Sequence, residues 1–132
     1  MTADYNLGAL VSKFFQKSLY EAVWHIQSSV KERFEFLVMQ VERITGLKDF
    51  GIYLNKLLTI DALFVNEDRH MHNIAVLMNK KGDFAYCPIF DHGAGLLSDT
   101  SMDYPLGTDV YDALSEVRAK TISGSLRNNW MF

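Results

Sequence analysis

The chain has 132 residues, of which 48% are hydrophobic, and a formal net charge of −3. This length is enough for one domain with a modest core, and the composition is ordinary for a soluble globular protein. The mildly acidic balance and the lack of a basic stripe argue against nucleic acid as a direct partner. No apolar run approaches the roughly 20 residues that span a bilayer, so no membrane partner is expected.

The first residues and the cysteine content indicate the compartment. The opening MTADYNLGAL lacks the basic-then-apolar order of a signal peptide. The single cysteine, Cys87, cannot form an intrachain disulfide. Both features predict a cytoplasmic protein. The chain has no repeat or linker, so we expect one domain over residues 1–132, with 122–132 as a disordered or truncated tail.

Three stretches in the first half have helical spacing of apolar residues. Residues 8–30 are typical of a broken helix, and residues 31–45 predict a firmer one that ends at Gly46. The stretch from Asp49 to about Val65 is apolar around most of its circumference, so it predicts a buried central helix with Asp49 as N-cap.

The second half begins with a predicted β-hairpin. Residues 74–78 and 84–90 alternate in the manner of strands, and NKKGD between them supplies the turn. A long glycine-bearing loop and a final helix over 109–121 follow. The expected fold class is therefore α+β and mostly α-helical.

A polar loop, VNEDRHMHN, separates the central helix from the hairpin. Asp68 and Asn73 stand five residues apart in it, and Asp91 follows the hairpin. Phosphoryl transfer needs a carboxylate that takes the proton of the attacking hydroxyl and oxygen ligands that hold Mg²⁺ against nucleotide phosphates. The interval from Asp68 to Asn73 matches the catalytic loop H-R-D-x-x-x-x-N of protein kinases, and Asp91 matches the Asp of D-F-G.

VNEDRHMHNIAVL followed by FAYCPIFDHGAGL resembles the HipA-like Ser/Thr protein kinases, whose pattern is N-x-D-R-H-x-x-N, a hairpin and an aromatic-Asp pair. The resemblance is sharp over residues 58–97. It implies Asp68 as the catalytic acid, His70 as the family's histidine, and Asn73 and Asp91 as metal ligands. It also implies ATP and Mg²⁺ as cofactors and a kinase-like C-terminal lobe with a small β-hairpin after the catalytic loop.

One departure concerns the upper lobe of such kinases, which brings a phosphate-covering loop and a lysine. The chain has no G-x-G-x-x-G, no G-x-x-x-x-G-K-[ST] and no V-A-I-K-like strand. We therefore expect a C-terminal lobe alone, either a fragment or a partner of a separate chain, and weak or inactive by itself. The expected partners are a protein substrate and an N-lobe or antitoxin-like protein, and self-association is a further expectation.

Other interpretations of the same residues stay open. Asp68 could cap a turn, and His70 could be a structural hydrogen-bonder of the loop rather than a proton shuttle. His70 and His72 could suggest zinc, although a closed site wants four ligands and Cys87 has no Cys-x-x-Cys partner. At the level of function, the alternatives are a non-catalytic protein-binding module and a phosphoinositide-kinase-like fragment, because phosphoinositide 3- and 4-kinases carry a related D-R-H-x-x-N.

Asp61 is an unusual residue on a nearly all-apolar helix. A buried carboxylate is costly unless it is hydrogen-bonded, so we expect a partner for it. It lies seven residues before Asp68, which predicts a tether to the polar loop through backbone N–H groups or His70. The alternative is that Asp61 points to water.

Overall fold

The computed structural model describes residues 3–6 (as backbone), 29–70, 73–91, 93–98, 105–120 and 125. Three helices and a three-stranded antiparallel sheet occupy these residues, so the fold is α+β, as predicted. The elements are β1 (Ala3–Asn6), α1 (Val30–Thr45), α2 (Phe50–Leu63), β2 (Ala75–Met78), β3 (Phe84–Tyr86) and α3 (Val110–Glu116). None of the described helices is long and apolar enough to cross a bilayer.

Helix α1 begins and ends with local signals that the sequence carries. At its start Ser29 Oγ accepts from the backbone N–H of Glu32 at 3.1 Å, and the Glu32 carboxylate accepts from the Ser29 N–H at 2.9 Å. This reciprocal pair satisfies two N–H groups that a helix start leaves without partners. At the other end Gly46 takes a left-handed conformation with φ 71°, which confirms its predicted role as C-cap.

The cap of α2 differs from the predicted one. Asp49 stands at the N-cap position, but its side chain makes no capping bond and its φ of 61° is left-handed. N-cap side chains normally act from an extended backbone, so this conformation explains the failure. Glu42 of α1 replaces it, because the carboxylate accepts from the Phe50 N–H at 2.9 Å. This hydrogen bond ties the start of α2 to α1.

Helix α2 lies centrally, although not all of it is buried. Ile52 remains 57% exposed and Leu63 66% exposed. The helix stops at Leu63 rather than near Val65, where the backbone turns left-handed with φ 53°. The core joins α1, α2 and the strand β2 through eight buried residues: Leu37, Val41, Phe50, Leu54, Leu57, Leu58, Ile74 and Val76.

The predicted hairpin is confirmed as part of a larger sheet. Strand β2 lies in the centre, with Val76 opposite Tyr86 in β3. Its other edge pairs with β1, which was not predicted, and this places Asn6 opposite Ala75. In the turn Asn79 Oδ1 accepts from the backbone N–H groups of Lys81 and Asp83, both at 2.9 Å.

The rest of the chain follows the predictions only in part. Helix α3 is shorter than the expected 109–121, because its backbone becomes extended at Val117. The described residues of the glycine-bearing loop contain no helix or strand, as expected. Apart from Ser29 and Val30, which begin α1, the predicted broken helix lies outside the described residues. His72 and, apart from Ser125, the predicted tail also lie outside them.

An aromatic group joins α2 to the sheet. The Tyr53 ring stacks on Tyr86 with a centroid distance of 5.1 Å and lies 5.5 Å from the Phe50 ring. The Tyr53 hydroxyl donates to the Cys87 carbonyl at 2.8 Å. Burial, then the nearby Cys87, raises the pKa of Tyr53 to about 12, while Arg69 acts in the opposite direction. The folded state therefore favours the neutral phenol.

The raised pKa of Tyr53 predicts an alkaline loss of stability. Since the folded-state pKa lies above the usual 10.0, the contribution is complete below about pH 10 and is lost as the pH rises toward about 12. Tyr53→Phe should flatten that fall in the free energy of unfolding, measured by urea denaturation from pH 8 to 12. Tyr111→Phe is the matched control because Tyr111 is 83% exposed. An unchanged pH profile in Tyr53→Phe would contradict the assignment.

Candidate functional site

A buried ion pair joins helix α2 to the polar loop. Asp61 is 2% exposed and Arg69 is 1% exposed. Arg69 Nε donates to Asp61 Oδ2 at 2.9 Å, and its Nη2 donates to Oδ1 at 3.1 Å. This two-pronged geometry is the strong form of a carboxylate–guanidinium contact. The expected burial and tethering of Asp61 are confirmed.

The predicted partner of Asp61 was wrong. Its carboxylate is bound by the side chains of Arg69 and Asn66 instead of by backbone N–H groups or His70. Both partners stand in the motif, and neither had been given a role. The missed signal was the positive charge of Arg69, since a nearby cation offsets the cost of burying a carboxylate.

The same guanidinium also holds two other chain segments. Arg69 Nη1 donates to the Asn73 carbonyl at 2.9 Å and to the Phe90 carbonyl. The segment at Asn73 leads into β2, and the segment at Phe90 follows β3. Arg69 thus fixes the backbone at Asn73 and beside Asp91 relative to α2.

Asn66 extends this arrangement. Its Nδ2 donates to Asp61 Oδ1 at 2.8 Å and to the Asp91 carbonyl at 3.4 Å, while its Oδ1 accepts from the Asp68 N–H at 3.3 Å. Because Asn66 is 1% exposed, these bonds form in a site from which water is excluded. We call Asp61, Asn66 and Arg69 the buried triad.

The structure places the predicted site residues around this triad. Asn73 Nδ2 donates to the Asp68 carbonyl at 3.3 Å, and the Asn73 N–H donates to the His70 carbonyl at 2.9 Å. The His70 side chain is half-buried. Asp91 is exposed and has a left-handed φ of 59°. One side-chain bond and one backbone bond of Asn73 therefore bring Asp68, His70 and Asn73 together, and Asn66 and Arg69 attach the segment that carries Asp91.

The Asp68 side chain has a partner from the far end of the chain. Lys120 Nζ lies 2.9 Å from Asp68 Oδ1. The carboxylate is 48% exposed and the lysine 56% exposed. In contrast to the pair beneath it, this contact faces water. The site thus contains a solvent-exposed ion pair, Lys120 with Asp68, and a buried one, Arg69 with Asp61.

The described residues contain no group of three or more His, Cys, Asp or Glu side chains arranged to hold a metal ion. The predicted magnesium ligands are one amide, Asn73, and one carboxylate, Asp91, so they do not form a group of this kind. Because Asn73 Nδ2 donates to the Asp68 carbonyl, a cation would bind this amide through Oδ1. Hard oxygen donors of this kind fit Mg²⁺.

An apolar cavity of about 420 Å³ lies beside the triad. Its lining includes Ile60, which precedes Asp61 of the triad, and Ile89, which precedes Phe90, the residue whose carbonyl binds Arg69. Leu96 also lines it, and the Leu96 N–H donates to the Phe64 carbonyl at 2.7 Å. The cavity offers apolar contact and no charged side chain from its lining.

No known protein-family model matches the chain, no curated protein matches it, and no solved structure matches it.

The buried triad predicts a large difference between two ion pairs of this chain. Asp61→Asn leaves the Arg69 charge buried without its counter-charge, so the free energy of unfolding should fall by about 3–5 kcal/mol. Glu35→Gln, which breaks the exposed Lys31–Glu35 pair, should cost about 0.5 kcal/mol or less. Urea denaturation of both variants measures the difference.

A double variant sharpens this comparison. Asp61→Leu with Arg69→Met removes both charges, so it should cost less than Asp61→Asn alone despite the carbonyls that lose a donor. Equal costs for Asp61→Asn and Glu35→Gln would show that the buried pair does not exist in solution.

Proposed function

We propose that this chain is the C-terminal lobe of a HipA-like Ser/Thr protein kinase, an ATP- and Mg²⁺-dependent phosphotransferase. The observation that carries the proposal is the buried triad, which binds the segments of Asp68, Asn73 and Asp91 to one helix. The pattern from Asp68 to Asp91 spans 24 positions, and its residues can act on one substrate only if the fold brings them together. The match of that pattern to the family supplies the reaction class.

The roles follow from exposure and donor chemistry. Asp68 has a half-exposed carboxylate that can take the proton of a serine or threonine hydroxyl. Asn73, through Oδ1, and the exposed carboxylate of Asp91 would hold Mg²⁺. Bound Mg²⁺ supplies neutralisation of the nucleotide phosphates. His70, within the same loop, acts in our proposal as the family's histidine, by orienting the loop or relaying a proton.

The proposed partners complete the cleft. One lobe offers one wall of a nucleotide site, and the phosphate-covering loop and lysine of related kinases come from the other. We propose an N-lobe or an antitoxin-like protein as the partner, besides the protein substrate. Exposed apolar side chains such as Ile52, Leu63 and Phe64 are compatible with docking and with self-association.

A second candidate is a non-catalytic protein-binding module on the same scaffold. The apolar cavity beside the triad favours it, because it offers contact surface without charge. Calorimetric titration with nucleotide separates the two functions, since a binding module has no need for Mg²⁺-dependent affinity for ATP.

The kinase proposal predicts weak and Mg²⁺-dependent binding of ATP by the 132-residue chain. Without an upper lobe the expected Kd is about 1 mM or higher, which is about 4 kcal/mol of binding free energy or less. Phosphate transfer by the chain alone should be negligible, because positioning supplies most of this catalysis. Titration followed by NMR and a radiolabelled-ATP assay test the two statements.

Matched variants locate the ion. Asp91→Asn should abolish the Mg²⁺ dependence of ATP binding, because it removes a charged ligand. Asp112→Asn makes the same chemical change on the exposed face of α3 and should leave binding as in the wild type. ATP binding that is indifferent to Mg²⁺ in the wild type would rule out the kinase proposal. Rapid turnover by a clean monomer would instead contradict the expected need for an upper lobe at the nucleotide site.

A further inference from the structure

We infer that Lys120 binds the phosphoryl group being transferred and keeps Asp68 in position to receive the substrate's proton. This inference rests on the proposed function and deepens it. It begins with one contact, the 2.9 Å ion pair between Lys120 Nζ and Asp68 Oδ1, which joins residues 52 positions apart.

The backbone next to Lys120 is anchored. Ala119 is only 7% exposed, and Ala113 of α3 is 3% exposed, so both ends of the segment that leads to Lys120 are packed against the protein. The lysine itself is exposed. A fixed backbone with a flexible four-carbon side chain allows the ammonium group to move locally while it stays at the site.

Charge accounts for the need for this lysine. A nucleotide triphosphate brings several negative charges toward Asp68, whose carboxylate repels them. Arg69 cannot offset that repulsion, because it is buried and bound to Asp61 and two carbonyls. Lys120, in contrast, is open to solvent and already lies against the carboxylate.

The geometry of an ammonium group suits both tasks. It has three N–H donors and no acceptor, so one donor can stay on Asp68 Oδ1 while another reaches a γ-phosphoryl oxygen. An exposed pair of this kind is weakly bound, so its rearrangement costs little when a nucleotide arrives. Lys120 would thus do from the C-terminal side what a phosphate-binding lysine does in a closed cleft.

The chemical step balances with these residues. The substrate hydroxyl oxygen forms a bond to the γ-phosphorus of ATP, and the bond from that phosphorus to the β–γ bridging oxygen breaks. ADP leaves with the bonding electron pair. The hydroxyl proton passes to Asp68 through Oδ2, and Lys120 remains protonated while it stabilises charge on the phosphoryl oxygens.

The test compares affinities for MgATP and MgADP, since only ATP carries the γ-phosphoryl group. In NMR titrations of the full chain, Lys120→Met should weaken MgATP binding about tenfold, the usual loss for one charge-assisted bond, and leave MgADP within about twofold. Lys120→Arg should restore most of the MgATP affinity. Lys81→Met, in the exposed turn of the hairpin, is the control and should change neither.

The outcomes separate two failures. If the wild type binds ATP with Mg²⁺ dependence but Lys120→Met binds MgATP equally well or more tightly, the role of Lys120 is wrong and the proposed function stands. Equal weakening of MgATP and MgADP would likewise overturn it, because a structural role predicts that result. If the wild type shows no Mg²⁺-dependent binding, the proposed function falls and the role of Lys120 with it.

Discussion

The buried contact between Asp61 and Arg69 is the constraint on which the site depends. Moving two charges out of water costs several kcal/mol per ion, and attraction between them offsets this cost only with good geometry and further hydrogen bonds. The arrangement meets that condition. Arg69 makes at least four hydrogen bonds, two to Asp61 and one each to the Asn73 and Phe90 carbonyls. A hydrophobic pair would fill the same space but would not hold two loops in a fixed direction.

The site has a buried part, which is the triad, and a solvent-exposed part, which contains Asp68 and Lys120. The three side chains of the buried triad are each 2% exposed or less, and Ile74, the residue that follows Asn73, belongs to the hydrophobic core. Asp68 and Lys120 are half-exposed and can rearrange. This division suits phosphoryl transfer, which relies on positioned charges more than on covalent chemistry. It also explains why the proposed reactive groups lie on loops although their placement depends on helix α2.

Sequence patterns predicted the elements whose signals are local. Gly46 ended a periodic helix, and the hairpin followed from alternation around a turn-forming segment. Strand β1 was missed because four residues are too few to show alternation, and its pairing with β2 joins residues 69 to 75 positions apart. Asp49 failed as a cap because its backbone is left-handed, and Glu42 of the preceding helix takes its place. In the site, the sequence showed that the Asp61 carboxylate needs a partner. It did not show whether the Arg69 or the His70 side chain points toward Asp61, because that depends on how the loop folds back on α2. The contact with Lys120 had no local signal at all.

The central claim is that the buried triad holds Asn73 and Asp91 as one ion site, and Mn²⁺ provides the most direct measurement. Mn²⁺ replaces Mg²⁺ at hard oxygen sites and broadens the NMR signals of nearby nuclei. With ATP and substoichiometric Mn²⁺, the Asn73 side-chain amide and the Asp91 backbone amide should broaden together and first. Gly82, in the hairpin turn, should keep its signal. Broadening of Asn73 without Asp91, or broadening that begins at the hairpin turn, would contradict the claim.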